Sequence, residues 1–277
     1  MAMIYVASLP MLGSAQQRPD RFERREQPVI VPPTVFHSQQ SANLPTAQTL
    51  SKGAWLFEIS HRFFPPVADG FQALWGLDGP VANRLGLAYA VSDRAMVGVV
   101  RTNIDDNLEL NAKARLLDGG TESIPVMIGV KGGFAWNMSD PGESGAGDNE
   151  SQAYAQVMLN ALIGDRLGVG LVPTVLRNPR IQDTEPETTL ALGIHGQAYI
   201  SEQVSLLGEW IISRRQPDLE HDSGTLGIEL ETGGHFFKIV LTNQYRMNPT
   251  QVLGGTPYQF KPKYWRLGFN VTRLLTF

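Results

Sequence analysis

The chain contains no cysteine. Disulfides, thiolate zinc sites and the C-x-x-C-H attachment of a c-type haem are therefore excluded. An excess of positive charge is missing too: 23 lysines and arginines stand against 27 acidic residues, so there is no basic face of the kind nucleic-acid binding requires. No stretch approaches ~18 consecutive apolar residues, the length a membrane helix needs. If the chain crosses a bilayer it must do so as a closed barrel, because an open strand edge in lipid would leave its amides unpaired. The histidines His37, His61, His195, His221 and His235 lie far apart without metal-ligand spacing, so neither a metal nor another cofactor is expected.

What the chain does have is alternation. From Ser51 onward apolar residues recur at every second position over segments long enough, at about 9 to 11 residues, for a tilted strand to cross a bilayer. Leu108, Leu110, Ala112, Ala114 and Leu116 alternate with Glu109, Asn111, Lys113 and Arg115, and Trp265, Leu267, Phe269 and Val271 alternate with Arg266, Gly268, Asn270 and Thr272. The pattern predicts an all-β, up-and-down antiparallel transmembrane β-barrel of about twelve strands. They are expected near 53–63, 81–91, 95–103, 107–117, 124–136, 152–163, 167–177, 188–200, 204–214, 223–232, 235–244 and 263–277. Short connections alternate with mostly longer ones, the outer-membrane arrangement. A soluble sandwich also alternates, but bulky aromatics cluster at both ends of the apolar faces. Trp136, Trp210 and Trp265 fall toward the long loops, and Trp55, Phe57, Tyr89 and Phe277 toward the short turns, which suggests two membrane interfaces.

Three segments are expected from the N-terminus onward. Residues 1–15 combine a short apolar run with Gly13-Ser14-Ala15, the small residues a signal peptidase reads. Residues 16–50 are polar and proline-rich without period and are read as a periplasmic linker, of which Asn43 to Leu50 could reach the barrel mouth. The barrel occupies 51–277. Its terminal Phe277, on an alternating strand, resembles the signal read by the barrel assembly machinery, an expected partner alongside outer-membrane lipid.

Several motifs resemble a family of bacterial membrane-bound β-barrel proteins without established function. They are Leu44-Pro45-Thr46-Ala47, Ile59-Ser60-His61-Arg62-Phe63, Leu74-Trp75-Gly76-Leu77-Asp78-Gly79, Leu85-Gly86-Leu87-Ala88-Tyr89 and the strand of Lys113. The resemblance implies the fold and the bacterial outer membrane, and brings no catalytic assignment.

Strand parity turns Glu58, Arg62, Arg84, Glu109, Lys113, Arg115, Lys131, Glu209, Glu229, Glu231, Lys238 and Arg266 inward. Such a mixed lining fits a polar channel, with opposed charges across a constriction, and fits equally a filled barrel whose charges pair. Loop 64–80, with Phe71, Leu74, Trp75 and Asp78, is too apolar for a solvated tip and is expected to plug the lumen or dock a partner. Loop 137–151 is acidic but lacks calcium-loop spacing. Three functions follow in order: a porin-like channel or small-solute transporter, a scaffold holding a periplasmic or surface protein such as a redox component or lipoprotein, and a membrane-embedded hydrolase. The last is disfavoured because adjacent Ser60 and His61 point to opposite faces of a strand.

Overall fold

The computed structural model describes residues 35–121, 123–139, 151–181, 187–214 and 218–275. The expected signal, residues 16–34 of the expected linker, most of loop 137–151 and Phe277 lie outside the described residues.

Twelve antiparallel strands close into one barrel in which every strand pairs with its sequence neighbours and β1 with β12. They are β1 (Trp55–Phe63), β2 (Val81–Ser92), β3 (Ala95–Thr102), β4 (Asn107–Thr121), β5 (Ile124–Asn137), β6 (Ser151–Ile163), β7 (Leu167–Arg177), β8 (Thr188–Tyr199), β9 (Val204–Ser213), β10 (Ser223–Glu231), β11 (His235–Thr242) and β12 (Arg266–Leu275). Alternation works as a signal here because both faces impose a demand: lipid outside admits only apolar side chains, while backbone pairing closes around the ring. Leu85, Leu110, Leu171, Ile194, Leu226 and Ile239 accordingly stand exposed on the outer wall. The short turns use residues that tolerate a left-handed backbone. Gly164 and Asp165, both with φ near +60°, open the three-residue turn Gly164-Asp165-Arg166 between β6 and β7.

Three irregularities depart from simple alternation. A bulge in β4 between Arg115 and Leu117 resets the parity, leaving Leu116 and Leu117 both exposed and letting the strand continue to Thr121 rather than stop near 117. Pro173 in β7 has no amide to give, and pairing with β6 is interrupted between Gln156↔Thr174 and Leu159↔Leu171. Finally, β12 starts at Arg266 because Pro262–Tyr264 forms a 3-10 turn, so Trp265 precedes the strand instead of belonging to it.

The aromatic levels sit at the two rims. Trp55 packs on Tyr89 at 4.7 Å toward the short turns, while Phe260 bridges Trp210 (5.4 Å) and Trp265 (5.3 Å) toward the long loops, with Trp136 against Phe134 on the same side. Between them the wall meets hydrocarbon. Leu171→Arg, near the middle of β7, should therefore lower the unfolding free energy by ~2–4 kcal/mol in a urea titration of vesicle-embedded protein. A loss no larger than that of Leu171→Ala would show that this face does not meet lipid.

Candidate functional site: a doubly filled lumen

Residues 35–50 run inside the barrel, which corrects their reading as the end of a linker. This segment, the strap, enters at the short-turn side, where Tyr199 Oη donates to Val35 O at 3.0 Å. It reverses between Ser41 and Leu44, whose backbone N and O bond at 2.8 Å. It then leaves on the same side, where Thr49 Oγ1 donates to Asp93 O at 2.7 Å in the β2–β3 turn. A single bridge, Gln40↔Pro45, is its own β-pairing. With no ladder to the wall, its backbone groups must be satisfied by side chains.

Charged wall residues supply those partners. Glu209 in β9 accepts from the amides of Asn43 (2.8 Å) and Leu44 (2.9 Å). Lys113 in β4 donates to the carbonyls of Gln39 (3.1 Å), Thr46 (3.3 Å) and Gln48 (2.6 Å). Lys238 in β11 donates to the carbonyls of Gln40 (2.6 Å) and Ser41 (2.8 Å) and to Ser38 Oγ (2.7 Å). Glu229, directly opposite Lys238 in the β10–β11 register, meets it at 3.1 Å and also holds His37 Nδ1 (3.2 Å) and Ser38 Oγ (3.1 Å). Arg62 donates to Asn43 Oδ1 at 3.2 Å and to Asn270 Oδ1 at 2.7 Å.

The other inward charges complete the lining. Glu58 pairs with Arg84 and takes Gln40 Nε2 at 2.9 Å. Glu109 accepts from Tyr154 Oη at 2.7 Å, and Lys131 lies 5.8 Å from the Tyr154 ring centroid. Three of the twelve belong to the rims instead. Arg115 donates to Asp93 O and Glu231 accepts from Gly234 N at the short-turn end, while Arg266 donates to Phe64 O at the long-loop end.

On β5–β9 an apolar patch lies among buried polar side chains such as Gln156, Asn160, Thr174 and Gln197. Met127, Met158, Leu162, Val172, Leu176 and Ile211 form one cluster with Phe36, Leu44 and Ala47 of the strap. Inward-facing glycines provide the sockets: a Cβ on Gly193 would come within 2.5 Å of the Leu44 side chain, and one on Gly168 within 3.0 Å of the Phe36 ring. Val252 and Leu253 belong to the same cluster. They come from the long loop before β12, whose one-turn helix α1 (Pro249–Val252) folds inward from the opposite rim. Asn248 bonds Asn107 (2.6 Å) and Arg84 (3.1 Å), and Leu253 O accepts from Ser213 Oγ (2.8 Å). Strap and loop thus enter the bore from its two ends and share one apolar cluster. Arg62 and Glu229 are fully buried; a cavity of about 60 Å³ lies between strap and the β1–β4 wall, and a larger recess of about 870 Å³ lies along β5–β9, where Lys131, Gln156, Thr174 and Ser213 line it.

Loop 64–80 is not the plug. Phe71 and Trp75 pack edge to face at 5.7 Å and stand 74% and 54% exposed, with Leu74 and Asp78 exposed beside them. Leu74 and Trp75 hold left-handed backbone conformations (φ 45° and 53°) that place the loop outside the mouth, where Val67 N bonds Trp265 O at 2.7 Å. No serine hydroxyl bonds a histidine among the described residues. Ser60 Oγ donates inward to Glu58, while His61 packs tilted against Phe269 at 4.5 Å on the lipid face.

Strap and sockets escaped the sequence reading, although two signals were available. Residues 27–51 contain no Asp, Glu, Lys or Arg, which suits a segment whose charges come from the wall, and Gly168 and Gly193 occupy inward positions of β7 and β8.

Comparison with known proteins bears on the family and the fold. No curated protein matches the sequence. Among solved structures, the barrel is similar to the KdgM porin (8% identity, 81% of this chain and 99% of that one, TM-score 0.47). It is also similar to an outer membrane channel from Pseudomonas putida F1 (13% identity, 83% and 98%, TM-score 0.49). Outer membrane phospholipase A from Escherichia coli is similar as well (10% identity, 81% and 90%, TM-score 0.41). Identities this low carry nothing about substrate or activity. The model of the membrane bound beta barrel domain (DUF5777) matches residues 36–275, starting within the strap and ending with β12, and so covers strap and barrel as one unit. A closed barrel with an apolar outer wall and two aromatic rims, matched over that whole span, is a protein of the bacterial outer membrane, and the chain belongs to the membrane bound beta barrel domain family.

Proposed function

We propose that this porin-like barrel is a channel for small polar solutes, held closed by its own strap. The observation that carries this reading is how the strap is held. Lys113, Lys238 and Glu209 bind its backbone carbonyls and amides, interactions that water replaces atom for atom if the strap withdraws. A barrel meant only to stay filled gains nothing from such a lining, since buried ion pairs are often no more stable than well-packed apolar residues. Withdrawal would leave both signs of charge along a water-filled bore, the lining that sets ion selectivity.

A second reading, a scaffold that anchors a periplasmic or surface partner, is favoured by the apolar cluster in the lumen, where Phe36, Leu44, Val252 and Leu253 pack in a way water cannot replace. The exposed Phe71 and Trp75 would then be its docking surface.

Planar-bilayer recording separates the two. The intact protein should give a silent baseline with rare openings, and a variant lacking residues 36–48 a steady ionic current. If the shortened variant shows heat-modifiable migration on a denaturing gel yet remains silent, the channel reading fails and the scaffold stands.

A further inference from the structure

Another recess opens at the long-loop rim, above the residues that fill the bore. Its volume of about 410 Å³ lies within the range of small-ligand sites. Its walls are aromatic: Phe64 meets Tyr245 edge to face at 5.2 Å, and Tyr245 meets Tyr258 at 6.4 Å. Two arginines complete it. Arg266 is held by the carbonyls of Phe64 (3.0 Å) and Tyr264 (2.9 Å), which lay its guanidinium over the Tyr258 ring at 3.8 Å. Arg246 lies 5.8 Å from the Tyr245 centroid, and its buried Nε has no hydrogen-bond partner.

Neither arginine is ion-paired among the described residues, although Asp105 lines the recess and Asp69 lies near enough to Arg266 to act on its charge. Elsewhere on the same rim Arg101 pairs with Asp106 and Arg214 with Glu187, each at 2.6 Å. The acid that lines the recess, Asp105, is engaged by Gln251 Nε2 at 3.2 Å. A guanidinium without a carboxylate partner, as at Arg246, presents donors that match a carboxylate, Arg266 adds a second positive charge, and tyrosine faces offer a flat apolar surface to a ring.

We propose that this recess binds a small carboxylate carried on a ring, its carboxylate on Arg246 and Arg266 and its ring against Tyr245 and Tyr258. The site is complete in the closed barrel, so it does not depend on whether the bore ever opens.

Calorimetric titration of the full-length protein in detergent tests it, with 4-hydroxybenzoate as probe and 4-hydroxybenzamide and inorganic phosphate as controls. Saturable binding of the acid is expected, at least tenfold tighter than the neutral amide and than phosphate. Arg246→Gln and Tyr258→Ala should each weaken it tenfold or more while heat-modifiable migration is retained. If Tyr258→Ala does not fold, Arg246→Gln alone decides. No saturable binding, an amide or phosphate that binds as tightly as the acid, or an Arg246→Gln variant that binds like the parent overturns the proposal.

Discussion

Gly193→Ile should expose the strap to solvent without touching any residue of the strap itself. Since the chain has no cysteine, a single one introduced by Ala42→Cys reports the event cleanly, as position 42 is buried at the strap's turn against Leu207 and Val240. In the parent barrel a thiol reagent reaches it only when the strap opens, so the labelling rate follows the population of the open form. Gly193 is the socket of Leu44: even a Cβ there would stand 2.5 Å from the leucine side chain, and the backbone of β8 is pinned on both sides by β7 and β9. The strap, with one bridge of its own, is the part able to yield. Overpacking costs ~1–3 kcal/mol, and at about 1.4 kcal/mol per factor of ten the labelling rate should rise roughly 5- to 150-fold. Gly168→Val crowds Phe36 in a separate socket, so the double variant should multiply the two effects. A rate unchanged in both single variants would mean that strap and wall move together and that the strap is no gate.

The wall was legible in the sequence because lipid enforces strict parity. Leu108 to Leu116 and Leu267 to Val271 could be assigned a face from alternation alone, and the inward set from Glu58 to Lys238 follows from the same period. The signal failed where the parity itself changes, at the Arg115/Leu117 bulge, since one extra residue leaves no mark in composition. It also failed for the filling. Residues 35–50 bond to β4, β9, β10, β11 and β12, partners 60 to more than 200 positions away, as well as to β1, so apart from their lack of charge little in the local sequence records their place. The apolar loop 64–80 looked like the plug because Phe71 and Trp75 are rare in solvated tips. What fills the bore is instead a charge-free mixture of polar and apolar residues, because in a charged lumen the filling must offer bare backbone atoms to the lysines and glutamates of the wall.

The Glu229 and Lys238 pair should show how far the closed state rests on that principle. Each is buried, and each also touches the strap: Glu229 through His37 and Ser38, Lys238 through Gln40 and Ser41. Glu229→Leu leaves an ammonium buried without its counter-charge, and Lys238→Leu leaves the carboxylate so, losses of ~3–5 kcal/mol each. In Glu229→Leu/Lys238→Leu neither charge remains, and two leucines opposite one another in the β10–β11 register fill comparable volume. The double variant still strands the carbonyl of Ser41 without a donor, at ~1–3 kcal/mol, while Gln40 O keeps Ser38 Oγ at 2.6 Å. It should therefore lie well above the sum of the singles in stability, with a coupling of at least ~2 kcal/mol, measured by urea titration of the folded-to-unfolded gel shift. The stranded carbonyl also makes a second readout diagnostic. Cysteine labelling at position 42 should be faster in the double variant than in the parent even where barrel stability is largely restored, because only the strap has lost its anchor. Additive losses in stability, with labelling unchanged, would mean that the two charges act independently and that Lys238 holds nothing.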